Sequence, residues 1–280
     1  MDRLMLGIGF ILLWCMFDTG YCMHSREKPS KRIDDATWDA TIIKLENTLT
    51  SYENAEVPIK QRSLVVFHIG DMARPTDSLD IMMNNVNIFI NAVELHSQSA
   101  TNKAFYLFNV VDNYNPIINK IPLNKPNVGM LKWTTASSDL DAHLRTMRIL
   151  GRNITDRFND IICANQGVRG PLLKRKNGEW LNEFKNLLNA NNVGMVGPTM
   201  SCEVSPHIQT HMFALRTALI PTIMTQMRQN ITSHFKSWTE VIAALEVGMT
   251  GVVMRAGYNV SSFLYNNRGH PYFQSGKCLV

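Results

Sequence analysis

The chain has 280 residues, of which 45% are hydrophobic and 18% are charged, with 16 Gly and 11 Pro. This composition excludes a collagen, a coiled coil and a disordered chain, because the apolar content is that of a globular protein and Pro and Gly are too few for low-complexity sequence. The net charge of +5 is small and spread along the chain, which argues against a nucleic-acid partner.

The N-terminus has the pattern of a secretory leader. Arg3 precedes an apolar run from Leu4 to Phe17, and small or neutral residues suited to signal-peptidase cleavage follow up to Cys22. The run is shorter than the ~20 residues that span a bilayer as a relaxed helix. We predict a signal peptide or a short signal anchor over residues 1–22, with membrane association only if the leader is not cleaved.

Three N-glycosylation sequons agree with a secretory leader. They begin at Asn153, Asn230 and Asn259, and each is a candidate glycosylation site. Glycans of this type are attached only in the secretory pathway. We therefore predict that the protein resides in the lumen of the endoplasmic reticulum or Golgi, or is secreted.

The cysteines are too few for a disulfide scaffold, since the chain has five in 280 residues. Beyond the leader and its edge, Cys163, Cys202 and Cys278 remain, and an odd number cannot all pair internally. Cys163 lies in an apolar, strand-like run, which is typical of a buried free thiol. Cys202 and Cys278 lie in loop-like sequence and could form a disulfide.

Residues 23–62 differ in character from the rest of the chain. They are polar and charged apart from one stretch in which hydrophobic residues recur at helical spacing, namely Trp38, Ile42, Leu45 and Leu49. We interpret this part as a stem or a peripheral helix. Residues 63–280 are predicted to form a single domain.

Within that domain, short apolar segments alternate with amphipathic segments. The predicted strands are Leu64–Phe67, Ala104–Val111, Val128–Trp133, Asp160–Ala164 and Val193–Val196. The predicted helices are Ser78–His96, Asp139–Leu150, Trp180–Leu188, His207–Leu219 and Ser237–Ala256. Short strands that are apolar throughout and separated by helices are typical of a mostly parallel sheet with helices on both faces. The predicted fold class is α/β.

The last predicted helix has the clearest end signals. Ser237 and Glu240 have the spacing of a capping box at its start, and Gly257 suits a left-handed turn at its end. Glu246 shares a face of this helix with apolar residues. Such a carboxylate either has a raised pKa suited to acid–base work or accepts hydrogen bonds from loop amides and supports the site; the sequence leaves both open.

Ligands of open parallel sheets bind beyond the carboxyl ends of the strands, which nominates particular loops. The loop after the first strand contains Asp71, and the Gly-rich loop after the fourth contains Asn165 and Arg169, whose guanidinium suits a phosphate. The loop after the fifth strand contains Glu203, for which an ordinary surface carboxylate is the alternative. The turn over residues 255–259 is a fourth candidate.

Several motifs that define enzyme classes are absent. The sequence has no G-x-S-x-G, no Walker loop, no G-x-G-x-x-G after the first strand and no H-E-x-x-H. Its D-x-D triplet, Asp139 and Asp141, opens a predicted helix, where carboxylates complement the helix dipole. His207 and His211 have i, i+4 spacing without a third ligand. We expect no metal site and no divalent cofactor.

Five segments follow one another in an order that matches a known family. They are D-I-I-C-A-N-Q-G-V-R-G-P (160–171), V-G-P-T-M-S-C-E (196–203), H-I-Q-T-H (207–211), E-V-G (246–248) and A-G-Y-N-V (256–260). Together they resemble the glycosyltransferase-like proteins related to rhamnan synthesis protein F, found in secretory-pathway proteins of diverse eukaryotes. One departure is Gln166, because the family has a small residue after the Asn.

The resemblance implies a Rossmann-like, glycosyltransferase A-like fold and a hexosyl- or deoxyhexosyltransferase that uses a nucleotide-sugar donor and a glycan or protein acceptor. In the implied site Asp71 lies near the nucleoside, and Asn165 and Arg169 face the diphosphate. Glu203 or Glu246 takes the proton of the acceptor hydroxyl. The alternative is a secreted protein of the same fold that binds carbohydrate or has a structural role without turnover.

Overall fold

The computed structural model describes residues 45, 48–50, 62–70, 78–97, 104–111, 115–133, 138–170, 180–202, 205–228, 230 and 237–264. All of them fall within one compact unit, Ile33–Val280. The predicted leader, Asp71, Glu203 and Cys278 lie outside the described residues. None of the described helices is both long enough and apolar enough to cross a membrane.

Nine strands are present in the described ranges. They are β1 (Ser63–Ile69), β2 (Ala104–Val111), β3 (Val128–Trp133), β4 (Asp160–Asn165), β5 (Val193–Gly197), β6 (Met200–Ser201), β7 (His207–Ile208), β8 (Met212–Arg216) and β9 (Asn259–Ser262). Seven of them form one sheet in the order β3-β2-β1-β4-β8-β5-β9, while β6 and β7 form a separate antiparallel ribbon. Within the large sheet only β8 runs antiparallel to its neighbours, β4 and β5.

The helices connect these strands. In the described ranges they are α1 (Ser78–Ser97), α2 (Asn115–Ile118), α3 (Asp139–Leu150), α4 (Arg152–Arg157), α5 (Trp180–Asn189), α6 (Ile220–Gln226), α7 (Trp238–Val241) and α8 (Gly248–Arg255). A 3₁₀ turn (Thr217–Leu219) leads into α6, and a π-helical segment (Ile242–Val247) joins α7 to α8.

Both faces of the large sheet are covered, because side chains of its strands point alternately to two hydrophobic cores. Along β1, Leu64 and Val66 pack in the core that contains α3 and α8, whereas Val65 and Phe67 pack in the core that contains α1 and α5. Phe67 stacks on Phe89 of α1 with ring centroids 3.9 Å apart. Each fully buried side chain of this size contributes about 1.5–3 kcal/mol. The predicted Rossmann-like, mostly parallel sheet with helices on both faces is confirmed.

Most predicted elements are present with similar ends. Two strands, β2 and β3, and helix α3 have the predicted bounds, and β1, β4, β5, α1 and α5 differ from prediction by at most two residues at an end. Ser237 Oγ accepts a hydrogen bond from the Glu240 N–H at 3.2 Å, and Gly257 has a φ of 85°, so both end signals of the last helix are confirmed.

The predicted helix over His207–Leu219 is wrong. This segment contains β7, a turn and β8, and the next α-helix begins only at Ile220. Phe213, Ala214 and Leu215 are fully buried between β4 and β5, where backbone pairing on both sides outweighs their compatibility with a helix. Strand β9, which pairs with β5 at the edge of the sheet, was not predicted either.

Two residues from the segment interpreted as a stem or a peripheral helix pack in the core. Leu45 and Leu49 are each only 2% exposed, and Leu45 Cδ1 lies 2.9 Å from the position that a Cβ at Gly129 of β3 would occupy. These two leucines belong to the hydrophobic core that also contains α3 and α8.

Gly257 and Gly248 form a matched pair for a stability test. A Cβ at Gly257 would touch nothing but needs a φ of 85°, whereas at Gly248, in a helix, its nearest neighbour would lie 3.7 Å away. Gly257→Ala should lower the free energy of unfolding by about 1–2 kcal/mol, and Gly248→Ala should raise it by about 0.5–1 kcal/mol. Urea midpoints at constant m-value measure both; equal effects would contradict the conformational explanation.

Candidate functional site

A row of polar side chains crosses the sheet near the carboxyl ends of its parallel strands. Asn109 of β2, His68 of β1 and Asn165 of β4 are partners in register. His211, directly before β8, continues the row, because its carbonyl accepts a hydrogen bond from the Asn165 N–H at 3.2 Å. The row therefore spans β1 and β4, where the strand order reverses and where open α/β sheets bind their ligands.

Helix α3 provides the polar side chains opposite one end of this row. Asn109 Nδ2 donates to Thr146 Oγ1 at 2.8 Å and to the Ala142 carbonyl at 3.2 Å, and Asn109 Oδ1 accepts from the Trp133 indole N–H. All of these groups are buried. Both the Nδ2 and the Oδ1 of Asn109 are therefore hydrogen-bonded, and these bonds hold α3 and β3 against β2.

Two buried histidines meet at the middle of the row, where His68 of the sheet lies opposite His143 of α3. The rings of His68 and His143, a residue of α3, meet edge to face with centroids 6.0 Å apart. Burial lowers the pKa of His68 to about 4 and holds the pKa of His143 well below its usual value, where the neighbouring His68 lowers it further. Both imidazoles are therefore neutral at pH 7 and add no charge to the site.

Asp139, the first residue of α3, lies opposite Asn165 of the row. Asn165 Nδ2 donates to Asp139 Oδ2, and Asn165 Oδ1 accepts from the Gly167 N–H at 2.8 Å. Burial raises the pKa of the Asp139 carboxyl, the hydrogen bond from Asn165 lowers it in part, and the nearby charge of Glu246 raises it again. The amide of Asn165 thus joins the end of β4 to the first residue of α3.

Glu246 approaches the same place from the π-helical segment. Its Oε2 accepts from the Thr210 backbone N–H at 3.2 Å and from the Thr210 hydroxyl at 2.6 Å, and its Oε1 lies 3.2 Å from His207 Nε2. His207 Nδ1 lies 2.7 Å from the Ser205 carbonyl, to which it can only donate. Both ring nitrogens of His207 therefore face oxygen acceptors, which favours an imidazolium paired with the Glu246 carboxylate.

These contacts decide between the two interpretations of Glu246. Burial raises the pKa of its carboxyl, but the hydrogen bonds from His207 and Thr210 outweigh burial, so that the pKa is lowered overall. The expectation of a raised pKa is wrong. The other interpretation, a carboxylate that accepts from a loop backbone amide, matches the geometry.

His211 lies within electrostatic reach of both carboxylates. Burial lowers the pKa of its imidazole, and the charges of Glu246 and Asp139 raise it in part. We call Asp139, Asn165, His211 and Glu246 the acid–histidine cluster. The cluster joins residues from α3, β4, the turn before β8 and the π-helical segment.

Sequence reasoning did not assign Asp139 and His211 to the site. The signal for Asp139 was available, because a helix that follows a parallel strand begins at the carboxyl edge of the sheet, so the loop after β3 belonged among the nominated loops. His211 was assigned to a helix that does not exist, which concealed its place at the end of a strand. Asp141 has the predicted structural role, since it is 2% exposed and pairs with Arg145 at 2.9 Å.

The remaining predicted site residues lie at the same edge or outside the described residues. Arg169 is exposed and pairs with no acidic residue of the described ranges. Asp71 and Glu203 are outside them, so their roles stay predictions. Within the described ranges, no three His, Cys, Asp or Glu side chains are arranged to hold a metal ion.

Gln166, at which the sequence departs from the family it resembles, bridges the ends of β1 and β4. Its side-chain Oε1 accepts a hydrogen bond from the Gly70 N–H at 2.6 Å, and its backbone N–H donates to the His68 carbonyl at 3.1 Å. Its carbonyl accepts from Asn85 Nδ2 of α1 at 3.1 Å. A small residue at this position would leave the Gly70 N–H open to a ligand.

The cysteines and sequons bear on where the protein resides. Cys163 is a buried free thiol, as its apolar sequence predicts, and burial raises its pKa. Cys202 is disulfide-bonded to a residue outside the described ranges.

Two of the sequon asparagines, Asn230 and Asn259, donate side-chain hydrogen bonds to the carbonyls of Ala244 and Asn191. A glycosylated asparagine keeps one amide N–H, so these bonds are compatible with a glycan.

No protein-family model and no curated protein matches the chain. Solved structures that resemble it include a candidate nucleotide-diphospho-sugar transferase from Desulfovibrio desulfuricans G20, with 11% identity, a TM-score of 0.44 and coverage of 72% of this chain and 79% of that chain. A CMP:2-keto-3-deoxy-manno-octonic acid synthetase with bound CTP has 10% identity and a TM-score of 0.42, covering 72% and 89%. A cytidylyltransferase from Leptospira borgpetersenii serovar Hardjo-bovis has 10% identity and a TM-score of 0.38, covering 74% and 76%. Similarity at this level assigns neither a family nor an activity.

Glu246→Gln should destabilise the protein in a pH-dependent way. Because the folded state lowers the pKa of Glu246, its charge contributes stability above about pH 4.5, the ordinary value, and this contribution is lost as the pH falls through the folded pKa. The variant should cost about 1–2 kcal/mol at pH 7, and the difference from wild type should shrink at acid pH. Denaturant titrations at several pH values measure it.

The control for this test is Glu183→Gln, which changes an exposed carboxylate on α5. It should change stability by less than about 0.5 kcal/mol at every pH. A Glu246→Gln protein as stable as wild type at pH 7 would show that the contacts to Thr210 and His207 contribute nothing.

Proposed function

We propose that this protein is a glycosyltransferase of the secretory pathway, which moves a hexosyl or deoxyhexosyl group from a nucleotide-sugar donor to a glycan or protein acceptor. The observation that carries the proposal is the acid–histidine cluster. It lies at the carboxyl end of β4, next to the point between β1 and β4 where the strand order reverses, which is the expected ligand position in this fold class.

The donor is proposed to lie across the ends of β1 and β4. Arg169 is exposed a few residues after β4 and has no acidic partner in the described ranges, so its guanidinium is available to the diphosphate. Asp71 is proposed to lie near the nucleoside. Asn165, whose amide is bonded to Asp139, is proposed to face the diphosphate from the end of β4.

The resemblance of five ordered segments to the family related to rhamnan synthesis protein F supports the same reaction class. A lumenal location is supported by the leader pattern, the three sequons and the disulfide at Cys202, because disulfides persist in oxidising compartments.

A second candidate is a carbohydrate-binding protein of the same fold without turnover. One observation favours it: Gln166 occupies the Gly70 N–H through its side chain, at a position where a bound nucleotide would approach the backbone between β1 and β4. In a protein that uses a nucleotide sugar, the bond between Gln166 and Gly70 would have to open or lie beside the donor.

Calorimetric titration with UDP- and GDP-linked sugars tests the proposal. The wild type should bind one donor, and Arg169→Ala should weaken that binding about ten-fold or more, since a charge-assisted bond to phosphate contributes about 1.5–3 kcal/mol. Arg148→Ala, which removes an exposed Arg of α3, is the matched control and should leave the affinity unchanged.

Other outcomes of the titration separate the candidates. Unchanged donor affinity in a folded Arg169→Ala protein would contradict the diphosphate contact. A wild type that binds glycans but no nucleotide sugar would favour the second candidate. Transfer of the nucleotidyl group instead of the sugar would place the activity with that of a cytidylyltransferase.

The secretory location has its own test. The full chain expressed in eukaryotic cells should carry N-glycans, so treatment with an endoglycosidase should increase its gel mobility, and Asn→Gln changes at Asn153, Asn230 and Asn259 should remove the shift stepwise. An unshifted band that retains Met1 would contradict the proposed compartment.

A further inference from the structure

The two carboxylates of the acid–histidine cluster differ in how their oxygens are used. Glu246 accepts three contacts, two from Thr210 at Oε2 and one from His207 at Oε1. Asp139 accepts one side-chain hydrogen bond, from Asn165 at Oδ2, and the backbone N–H groups of Leu140 and of Asp139 itself also act on its carboxylate, while no side chain of the described ranges donates to its Oδ1. Of the two carboxylates, Asp139 therefore has the oxygen with fewer side-chain partners, Oδ1, with which to accept the proton of a substrate hydroxyl.

Asp139 is also placed where a substrate can reach it. It is the first residue of α3, which begins at the carboxyl edge of the sheet, and the residue as a whole is half-buried. Asp141, two residues further on, is buried and paired with Arg145. Of the two acids of the D-x-D triplet, Asp139 therefore belongs to the site, whereas Asp141 is bonded within helix α3.

The groups around Asp139 suit proton transfer. From β4, Asn165 fixes its orientation and the neutral thiol of Cys163 lies within electrostatic reach. From the turn before β8 comes His211, and from the π-helical segment comes Glu246, whose charge is held by His207. Burial and the charge of Glu246 raise the pKa of Asp139, which makes its carboxylate a stronger base than that of an ordinary aspartate.

We propose that Asp139 is the general base of the transfer reaction, with Asn165 as its positioning residue and Glu246 as a supporting carboxylate outside the reaction itself. This assignment rests on the proposed function. In the step, the acceptor hydroxyl gives its proton to Asp139 Oδ1 while its oxygen forms a bond to the anomeric carbon of the donor sugar. The bond from that carbon to the diphosphate oxygen breaks, and the nucleoside diphosphate leaves with the electron pair.

The matched variants are Asp139→Asn and Asp141→Asn. Asparagine at position 139 keeps the shape of the side chain and an oxygen to accept from Asn165, so the variant should fold with a melting temperature close to that of wild type. Asp139→Asn should keep the affinity for the UDP- or GDP-sugar that wild type binds and lose about 10²- to 10⁴-fold in the rate of sugar transfer. Asp141→Asn should transfer at nearly the wild-type rate.

The pH profile separates a base from a structural residue. The wild-type rate should fall as the pH drops through the pKa of Asp139, which lies above the ordinary 3.8, and the residual rate of Asp139→Asn should lack this acid limb. His211 and Glu246, which titrate beside it, should still contribute to both profiles. Asp139→Glu should recover part of the rate.

Three results would overturn the assignment. Transfer by Asp139→Asn within a few-fold of wild type, in a protein that binds the donor, would reject Asp139 as the base and leave the proposed function standing. A parallel loss of donor binding would make Asp139 a donor-binding residue instead. A wild type without donor binding or transfer would reject the proposed function, and the assignment with it.

Discussion

The hydrogen bond from Asn165 to Asp139 joins the end of a central strand to the start of the helix that crosses it. Because it fixes where α3 begins, it also fixes which α3 side chains face the sheet one and two turns later, namely His143 opposite His68 and Thr146 opposite Asn109. Burying this many polar groups costs free energy unless their partners are in place. A shift of one residue in the register of β1 would turn His68 to the other face of the sheet and remove it from the polar row.

The antiparallel direction of β8 determines which residues can join the site. In a parallel sheet only the segments that follow strands reach the carboxyl edge, but the segment that precedes an antiparallel strand reaches the same edge. For this reason His211, which lies directly before β8, meets Asn165, which lies at the end of β4. The site thus combines one residue at the end of a parallel strand with others that precede an antiparallel one.

The sequence predicts the parallel half of the fold well, because each of β1 to β4 has a continuous apolar centre and α3 has a Ser cap and an apolar stripe at helical spacing. It does not predict β8, because the i, i+4 spacing of His207 and His211 also fits a helix. Only the pairing with β4 and β5 makes residues 212–216 a strand. Asn165 and Glu246 were found from local pattern. Asp139 and His211 depend on which strands become neighbours, information that no local pattern contains.

The π-helical segment has a consequence for how this chain can change in length. A π turn holds one residue more than the α turn it replaces, so it behaves as a single-residue insertion absorbed within a continuous helix. Removing one residue from Ile242–Val247 would restore regular α-helix there and leave the helices on both sides in place, because only the extra residue is lost. Leu245 and Met249 could then both remain in the core, but the directions of the side chains within the segment, including that of Glu246, would change. A gap in a related sequence at this place would therefore mark a protein that keeps its core but alters the contact between this carboxylate and Thr210, even if the glutamate itself were still present.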